Sequence, residues 1–120
     1  MALKQVIVFR KDIQMNKGKM IAQGAHAAMM CLLEIDMDDA RMDTVTSWAW
    51  GTMAKIVCGV DTLEELDELQ RTAKAAGLLC YEVIDSGKTV FDGVPTKTCI
   101  AIGPADDLEI DKITGALKLI

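Results

Sequence analysis

Residues 16–28 read Asn-Lys-Gly-Lys-Met-Ile-Ala-Gln-Gly-Ala-His-Ala-Ala, and this sequence predicts a loop that leads into a helix. Gly18 allows a flexible start, and the Ala and Met residues after it favour helix. Because each helical residue turns by about 100°, Lys19, Gln23 and His26 share one face. The polar face is a candidate site, although a simply solvated face has the same pattern. We expect the opposite face to be buried; it carries Ile21, Ala25, Ala28 and Leu32.

The composition predicts one globular domain, residues 1–120, with 51% hydrophobic residues for its core. No apolar run approaches the roughly 18 residues of a membrane span, and residues 1–10 do not have the flanks of a signal peptide. The cysteines form no C-x-x-C pair, which predicts reduced thiols in the cytoplasm. With a single histidine as well, we expect no metal site and no cofactor. The four cysteines are Cys31, Cys58, Cys80 and Cys99.

The formal net charge is −5, yet the charges are unevenly placed. Residues 1–33 carry five basic side chains and one acidic one, whereas residues 34–47 carry five acidic side chains and one basic one. Such asymmetry can concentrate positive potential on one face, which suits a local phosphate contact better than a long duplex. We expect Lys11 and Lys17, in the basic part, to bind substrate. Scattered surface charges without a function would give the same counts.

Four β-branched and apolar runs predict strands at residues 5–10, 55–60, 81–84 and 98–102, the last ending at Gly103-Pro104. Helices are predicted from about residue 18 to 35, from Asp61 or Thr62 to 76, and from 106 to 114. Residues 36–43 predict an acidic connection, and residues 44–52 fit a short helix or an extended segment. The tail 116–120 is apolar enough to dock on the body.

This order of elements predicts an α/β fold with helices on both faces of a mixed, four-stranded sheet. The first three strands can be parallel through right-handed crossovers. The fourth follows the third without a helix between them, so we expect it to be antiparallel. In open α/β sheets, sites lie at the carboxyl ends of the strands. Three segments meet that condition, namely the loop 11–19, Asp61 and the segment 85–89.

Residues 85–89, Asp-Ser-Gly-Lys-Thr, have two interpretations. Asp-Ser-Gly is an ordinary turn after a strand. Alternatively, Asp85 and the hydroxyl of Thr89 can both bind a single water, with Thr96 and Thr98 adding hydroxyls nearby. One carboxylate, one lysine and several threonines in a cleft could support hydrolysis by general-base and oxyanion chemistry. A phosphate loop at Gly18-Lys19 is excluded, since Ile13 and Met20 break its pattern.

Five blocks of the sequence resemble type 2 peptidyl-tRNA hydrolases, in that family's order and over most of the chain. This resemblance implies an α/β/α domain with a mixed four-stranded sheet, often dimeric. It also implies hydrolysis of the ester between a peptide and the 3′ ribose of tRNA. The blocks are residues 4–12 (KQVIVFRKD), 18–27 (GKMIAQGAHA), 85–89 (DSGKT), 96–104 (TKTCIAIGP) and 111–119 (DKITGALKL).

The resemblance also implies roles for individual residues. Asp85 would orient or deprotonate the attacking water, with Thr89 and Thr98 as hydroxyl partners. Lys19 would steady the oxyanion or a phosphate, and His26 would act as a hydrogen bonder or a proton carrier. The residues expected to bind substrate are Lys11, Lys17, Gln23 and Thr96.

The chain departs from the family pattern after Thr89, where Val90 replaces the usual Gln or Glu. The loop that follows is one residue longer and carries Phe91 and Asp92. Two other functions fit the same residues. One is a non-catalytic module that binds RNA ends or a protein partner through the same face, and the other is hydrolysis of a different acyl ester.

Overall fold

The computed structural model describes residues 2–87, 91 and 93–120, and within them the chain forms five strands and four helices. All the predicted strands and helices are present, and most of the undecided segment 44–52 is helical. The strands are β1 (Leu3–Arg10), β2 (Lys55–Val60), β3 (Cys80–Asp85), β4 (Thr96–Asp106) and β5 (Lys118–Leu119). The helices are α1 (Lys17–Leu33), α2 (Met42–Ala49), α3 (Leu63–Ala75) and α4 (Asp107–Thr114).

The strands form one sheet in the order β3-β4-β1-β2-β5. β1 and β2 pair in parallel, while β4 is antiparallel to both of its neighbours. β1, β2 and β3 therefore run in one direction and β4 runs against them, as predicted. The predicted number of four strands is wrong, because Lys118 and Leu119 pair with β2 and add a short edge strand. A strand of two residues is too short to have a recognisable period, so the tail appeared only as an apolar segment.

The sheet lies between two layers of helices, which confirms the three-layer α/β/α architecture. Side chains of β1 alternate between the layers. Ile7 and Phe9 pack towards α1, and Val6 and Val8 pack towards α3 and α4. α2 covers the end of the α1 face, where Trp48 is buried and donates its Nε1–H to the carbonyl of Ala54, 2.9 Å away.

β4 does not end at Gly103-Pro104, as predicted, but continues to Asp106. Lys4 of β1 pairs with Ala105 and Val6 pairs with Ile102, so β4 has one extra residue in this interval. Gly103-Pro104 therefore forms an irregularity within β4 and does not end it. Gly103 has a φ of +92°, a conformation that favours glycine, and a Cβ there would lie 2.8 Å from Ile110. Turn-forming residues can therefore mark a bulge inside a strand as well as its end.

The predicted orientation of α1 is wrong. The buried residues of α1 are Gln23, Ala27 and Cys31, whereas Ile21 and Leu32 are exposed. The helix lies close to the sheet because its contact residues are small, and a Cβ at Gly24 would already touch Phe9 at 3.6 Å. Oε1 of the buried Gln23 amide accepts a hydrogen bond from a side chain on β4. Burial of this oxygen therefore does not leave a polar atom without a partner, which would cost stability.

Candidate active site

The candidate site lies where β1 and β3 end, beside the start of β4 and the N-terminus of α1. Asp85 is the last residue of β3 and pairs in register with Thr96, the first residue of β4. Lys19 lies in the first turn of α1, where the side chain of Asn16 accepts a hydrogen bond from its backbone N–H at 2.8 Å. The fold thus brings together two residues that are 66 positions apart in the sequence.

Lys19 and Asp85 form an ion pair between Nζ and Oδ2. Their side chains are only 17% and 5% exposed, so water screens the pair weakly. The other oxygen of Asp85 accepts the backbone N–H of Gly87 at 2.7 Å. The hydrogen bond from Lys19, and then the one from Gly87, hold the pKa of Asp85 below its usual value, against the effect of burial. Asp85 is therefore a carboxylate at neutral pH.

Gly87 allows the tight turn that follows Asp85. Its φ is +81°, and a Cβ there would lie 2.6 Å from the backbone nitrogen of Val94. Its carbonyl accepts the N–H of Gly93 at 2.8 Å. The Asp-Ser-Gly segment is thus the ordinary turn that the sequence suggested, and the same turn also orients the carboxylate.

Thr98 is turned towards α1 by a bulge in β4. Val83 pairs with Cys99 and Ile84 pairs with Lys97, so β4 has one extra residue, Thr98, at this point. Thr98 is fully buried and donates its hydroxyl proton to Oε1 of Gln23 at 2.6 Å. This bond fixes the amide so that the Nε2 hydrogens of Gln23 remain the donors.

The other candidate residues are placed as follows. Thr96 donates its hydroxyl proton to the carbonyl of Val94 at 2.9 Å, within the loop. His26 is exposed on α1, and it is the last of the causes that lower the pKa of Asp85, after the hydrogen bonds from Lys19 and Gly87. Thr89 lies outside the described residues, as do Val90 and Asp92.

The basic candidates Lys11 and Lys17 lie at the same end of the sheet. Lys11 reaches Asp61, in the loop after β2, at 3.5 Å. Lys17 is exposed at the start of α1. The acidic segment 36–43 follows the other end of this helix, roughly 25 Å away for its 17 residues. The basic and the acidic segments of the sequence therefore lie at opposite ends of α1.

Two features of this end were not assigned to the site from the sequence. The Nζ of Lys19 lies 5.9 Å from the centroid of the Phe91 ring, within the range of a cation–π contact. Arg10 forms a two-pronged ion pair with Asp12. The only sequence signal for the contact of Lys19 with Phe91 was the longer loop that carries Phe91. The only one for the Arg10 and Asp12 pair was their Arg-x-Asp spacing.

A groove of about 480 Å³ flanks α1 on its β2 side. It is almost entirely apolar, with Lys17 and Lys55 at its rim. Its lining includes Ile21, Val57 and Ile120, which are all exposed. The groove therefore offers a surface for apolar contacts rather than a second polar site.

The part of the chain that the structure describes holds no cluster of three metal-ligating side chains. Among the same residues, no helix has both the length and the apolar content that crossing a bilayer requires.

Comparison with known families identifies the protein class. The sequence profile described as Peptidyl-tRNA hydrolase PTH2 matches residues 3–120. The chain belongs to this family. The resemblance drawn from the five sequence blocks is therefore confirmed. The matched region includes every described residue of the site from Arg10 to Thr98.

Curated relatives named peptidyl-tRNA hydrolase align with this chain over their full length. A protein of Methanothermobacter thermautotrophicus named peptidyl-tRNA hydrolase is 42% identical over 118 residues, covering 98% of this chain and all of its own. One of Methanocaldococcus jannaschii with the same name is 40% identical, with the same coverage. A third, from Thermoplasma acidophilum, is 41% identical over 120 residues and covers both chains completely.

Proposed function

We propose that this chain is a peptidyl-tRNA hydrolase, which cleaves the ester between a peptide and the 3′ ribose of tRNA in the cytoplasm. The observation that carries this proposal is the sheltered ion pair of Lys19 and Asp85 at the strand ends. A carboxylate and an ammonium held together at the edge of a sheet can orient water and stabilise a developing negative charge. The cytoplasmic location is supported by the four cysteines, which are all free and buried thiols.

In the proposed reaction, Asp85 accepts a hydrogen bond from water, whose oxygen attacks the ester carbonyl. Because its pKa is lowered, Asp85 is a weak base, and its main task is to orient the water. Lys19 and the positive end of α1 stabilise the oxyanion. The C–O bond to the ribose then breaks, and the water's proton passes to the ribose oxygen.

Neighbouring side chains supply the remaining polar groups. Gln23 is held by Thr98, so its Nε2 hydrogens can donate to the substrate's carbonyl oxygen or to the ribose. His26 makes no hydrogen bond with any described residue, and its exposure favours the role of proton carrier over that of a structural hydrogen bonder. Thr89 is assigned its hydroxyl role by the resemblance alone. Because Thr96 donates its hydroxyl proton to Val94, it would contact substrate as a hydrogen-bond acceptor, through the lone pairs of its oxygen.

The substrate's 3′ end is proposed to arrive over the loop after β1. Lys11 and Lys17 lie beside that loop, and the acidic segment 36–43 lies at the opposite end. Each lysine would bind one phosphate, which accounts for recognition of a polyanion by a chain with a net charge of −5.

A turnover assay with two substrates tests this function. N-acetylaminoacyl-tRNA carries the blocked amine of a peptide, whereas free aminoacyl-tRNA does not. We expect rapid release of tRNA from the first and much slower release from the second. Equal release from both would indicate a general ester hydrolase. Binding without release would indicate the non-catalytic module.

We propose further that two copies associate through the apolar groove beside α1. Ile21, at the edge of this groove, is 73% exposed. We expect light scattering to give a dimer mass, and Ile21→Glu to give a monomer. Leu108→Glu is the matched control, because Leu108 is 67% exposed on α4, on the other face of the sheet. A monomeric wild-type protein would contradict this proposal.

A further inference from the structure

Arg10 lies behind the candidate site, on the α3 face of the sheet. Its Nε and Nη2 donate to the two oxygens of Asp12 at 2.7 and 2.8 Å. Its Nη1 donates to the backbone carbonyl of Lys97 at 3.4 Å. The guanidinium therefore joins the end of β1 to the start of β4, at the residue before Thr98.

Lys97 is also held by its side chain. Its Nζ contacts Asp67 at 2.6 Å and donates to Oε1 of Gln70, both on α3. The side chain of Lys97 thus points towards α3, while Thr98 and Cys99 both face α1. In a regular strand these neighbours would alternate, so the direction of Thr98 depends on the bulge.

We propose that Arg10 is a positioning residue for this reaction. By binding the carbonyl of Lys97, it holds the bulge of β4 and so keeps Thr98 against Gln23, beside Lys19 and Asp85. The proposal rests on the hydrolase function given above. It assigns a catalytic effect to a residue on the face of the sheet opposite the reacting groups.

Direct binding of tRNA phosphate by Arg10 is the competing role. Its side chain is only 13% exposed, and two of its nitrogens are occupied by Asp12. A phosphate would have to displace that carboxylate. The guanidinium binds Asp12 through two nitrogens and Lys97 through the third, an arrangement that lysine cannot reproduce. This geometry favours a positioning role for Arg10 over a simple effect of its charge.

The structure contains a matched control at the opposite end of the sheet. Arg41 donates through Nε and Nη2 to Asp39 at 2.9 and 2.8 Å, and through Nη1 to the carbonyl of Gly77 at 3.0 Å. Both arginines thus bind a carboxylate two residues away and a backbone carbonyl of another segment. Only Arg10 has its carbonyl partner next to a site residue.

The experiment compares Arg10→Gln with Arg41→Gln. We expect the Arg10 variant to lose at least about tenfold in kcat with little change in KM, because small misplacements of reacting groups are costly. We expect Arg41→Gln to match the wild type. Arg10→Lys should behave like Arg10→Gln, and recovery of kcat by lysine would overturn the proposal. A raised KM with a flatter salt dependence would indicate phosphate binding and would also overturn it.

A double variant tests whether Arg10 acts through Thr98. If it does, Arg10→Gln should add little to the loss caused by Thr98→Val. Additive losses would mean that Arg10 acts by another route. If Arg10→Gln does not fold, Asp12→Asn is the alternative variant, because it removes the carboxylate that holds the guanidinium. We expect it to lower kcat by a smaller factor than Arg10→Gln would. An unchanged kcat would overturn the proposal.

Thiol labelling gives a readout that does not depend on activity. Cys99 is fully buried beside Thr98, and burial raises its pKa to about 11. We expect Arg10→Gln to speed the alkylation of Cys99 several-fold and to leave Cys80 unchanged. Cys80 is similarly buried, with a pKa also of about 11. If the wild type proved inactive, the labelling would still test the contact, and equal rates at Cys99 would overturn it.

Discussion

The two ends of the sheet carry similar pairs of charged residues in different surroundings. At one end, Arg10 and Asp12 lie behind the sheltered pair of Lys19 and Asp85. At the other end, Arg41 pairs with Asp39 in the turn before α2, where the side chain of Arg41 is 44% exposed. The chemistry of the pairs is alike, so burial and neighbouring groups decide which end can act as a site.

Both ends of the sheet carry an aspartate whose pKa is lowered. The pKa of Asp85 is lowered by Lys19 and by the N–H of Gly87. The pKa of Asp39 is lowered to about 2 by the side chain and then the backbone N–H of Arg41. A lowered carboxylate pKa is therefore no mark of a site by itself. Asp85 differs because its side chain is only 5% exposed and its partner, Lys19, is itself largely sheltered from water.

The largest expected effect comes from removing the buried pair. We expect Lys19→Ala and Asp85→Asn each to reduce kcat by roughly 10²–10³-fold, the usual effect of losing one preorganised stabilising group. The measurement is the initial rate of tRNA release at saturating substrate, with the thermal midpoint of each variant measured alongside.

The corresponding changes at the other end, Arg41→Gln and Asp39→Asn, are the controls and should leave kcat unchanged. If they lower kcat as much as the site variants do, the distinction between the two ends is wrong. Full activity in a folded Asp85→Asn variant would remove that residue from the mechanism.

A smaller effect is expected from the exposed lysines. Each phosphate contact contributes about 0.7–0.9 to the slope of log affinity against log salt, so the two contacts proposed for Lys11 and Lys17 contribute about 1.4–1.8 to its magnitude. We expect Lys11→Ala with Lys17→Ala to flatten this slope by about one to two units while kcat stays nearly unchanged. Binding measured by fluorescence anisotropy over a salt series provides the slope.

The control for the lysines is Arg71→Ala with Lys74→Ala. These residues lie on α3, the second near the end of the sheet that carries Arg41, and we expect their loss to leave the slope unchanged. An unaltered slope in the Lys11 and Lys17 variant would place the RNA on another face of the molecule.

Much of the fold could be predicted because its strands are mostly apolar runs and three of its helices, α1, α3 and α4, begin at a side-chain cap. Lys19 and Asp85 could be brought together from the sequence, since both follow strands that end at the same edge of a sheet. Thr62 caps α3 and Gly77 ends it, with a φ of +79°, as the sequence indicates. In each case local chemistry and tertiary packing agree.

The missed features depend on contacts between distant segments. The burial of Gln23 follows from its bond to Thr98, 75 residues away, which no helical period can indicate. The bulge at Thr98 changes which face the first residues of β4 present, and a regular strand would place Lys97 and Thr98 on the opposite faces. The role proposed for Arg10 depends on that same bulge.

The smallest expected effect concerns the stability of the exposed end. Because Arg41 lowers the pKa of Asp39 to about 2, the folded state favours its carboxylate form. This contribution is fully present above the ordinary pKa of an aspartate and is lost as the pH falls through about 2. We therefore expect Asp39→Asn to lower the urea midpoint slightly at pH 7, since exposed pairs contribute little. The difference from wild type should shrink below about pH 4.

Asp38→Asn is the control, because it removes a neighbouring charge without breaking an ion pair. Equal losses in both variants at pH 7 would mean that the pair adds nothing, and that the two ends differ even more than their geometry indicates.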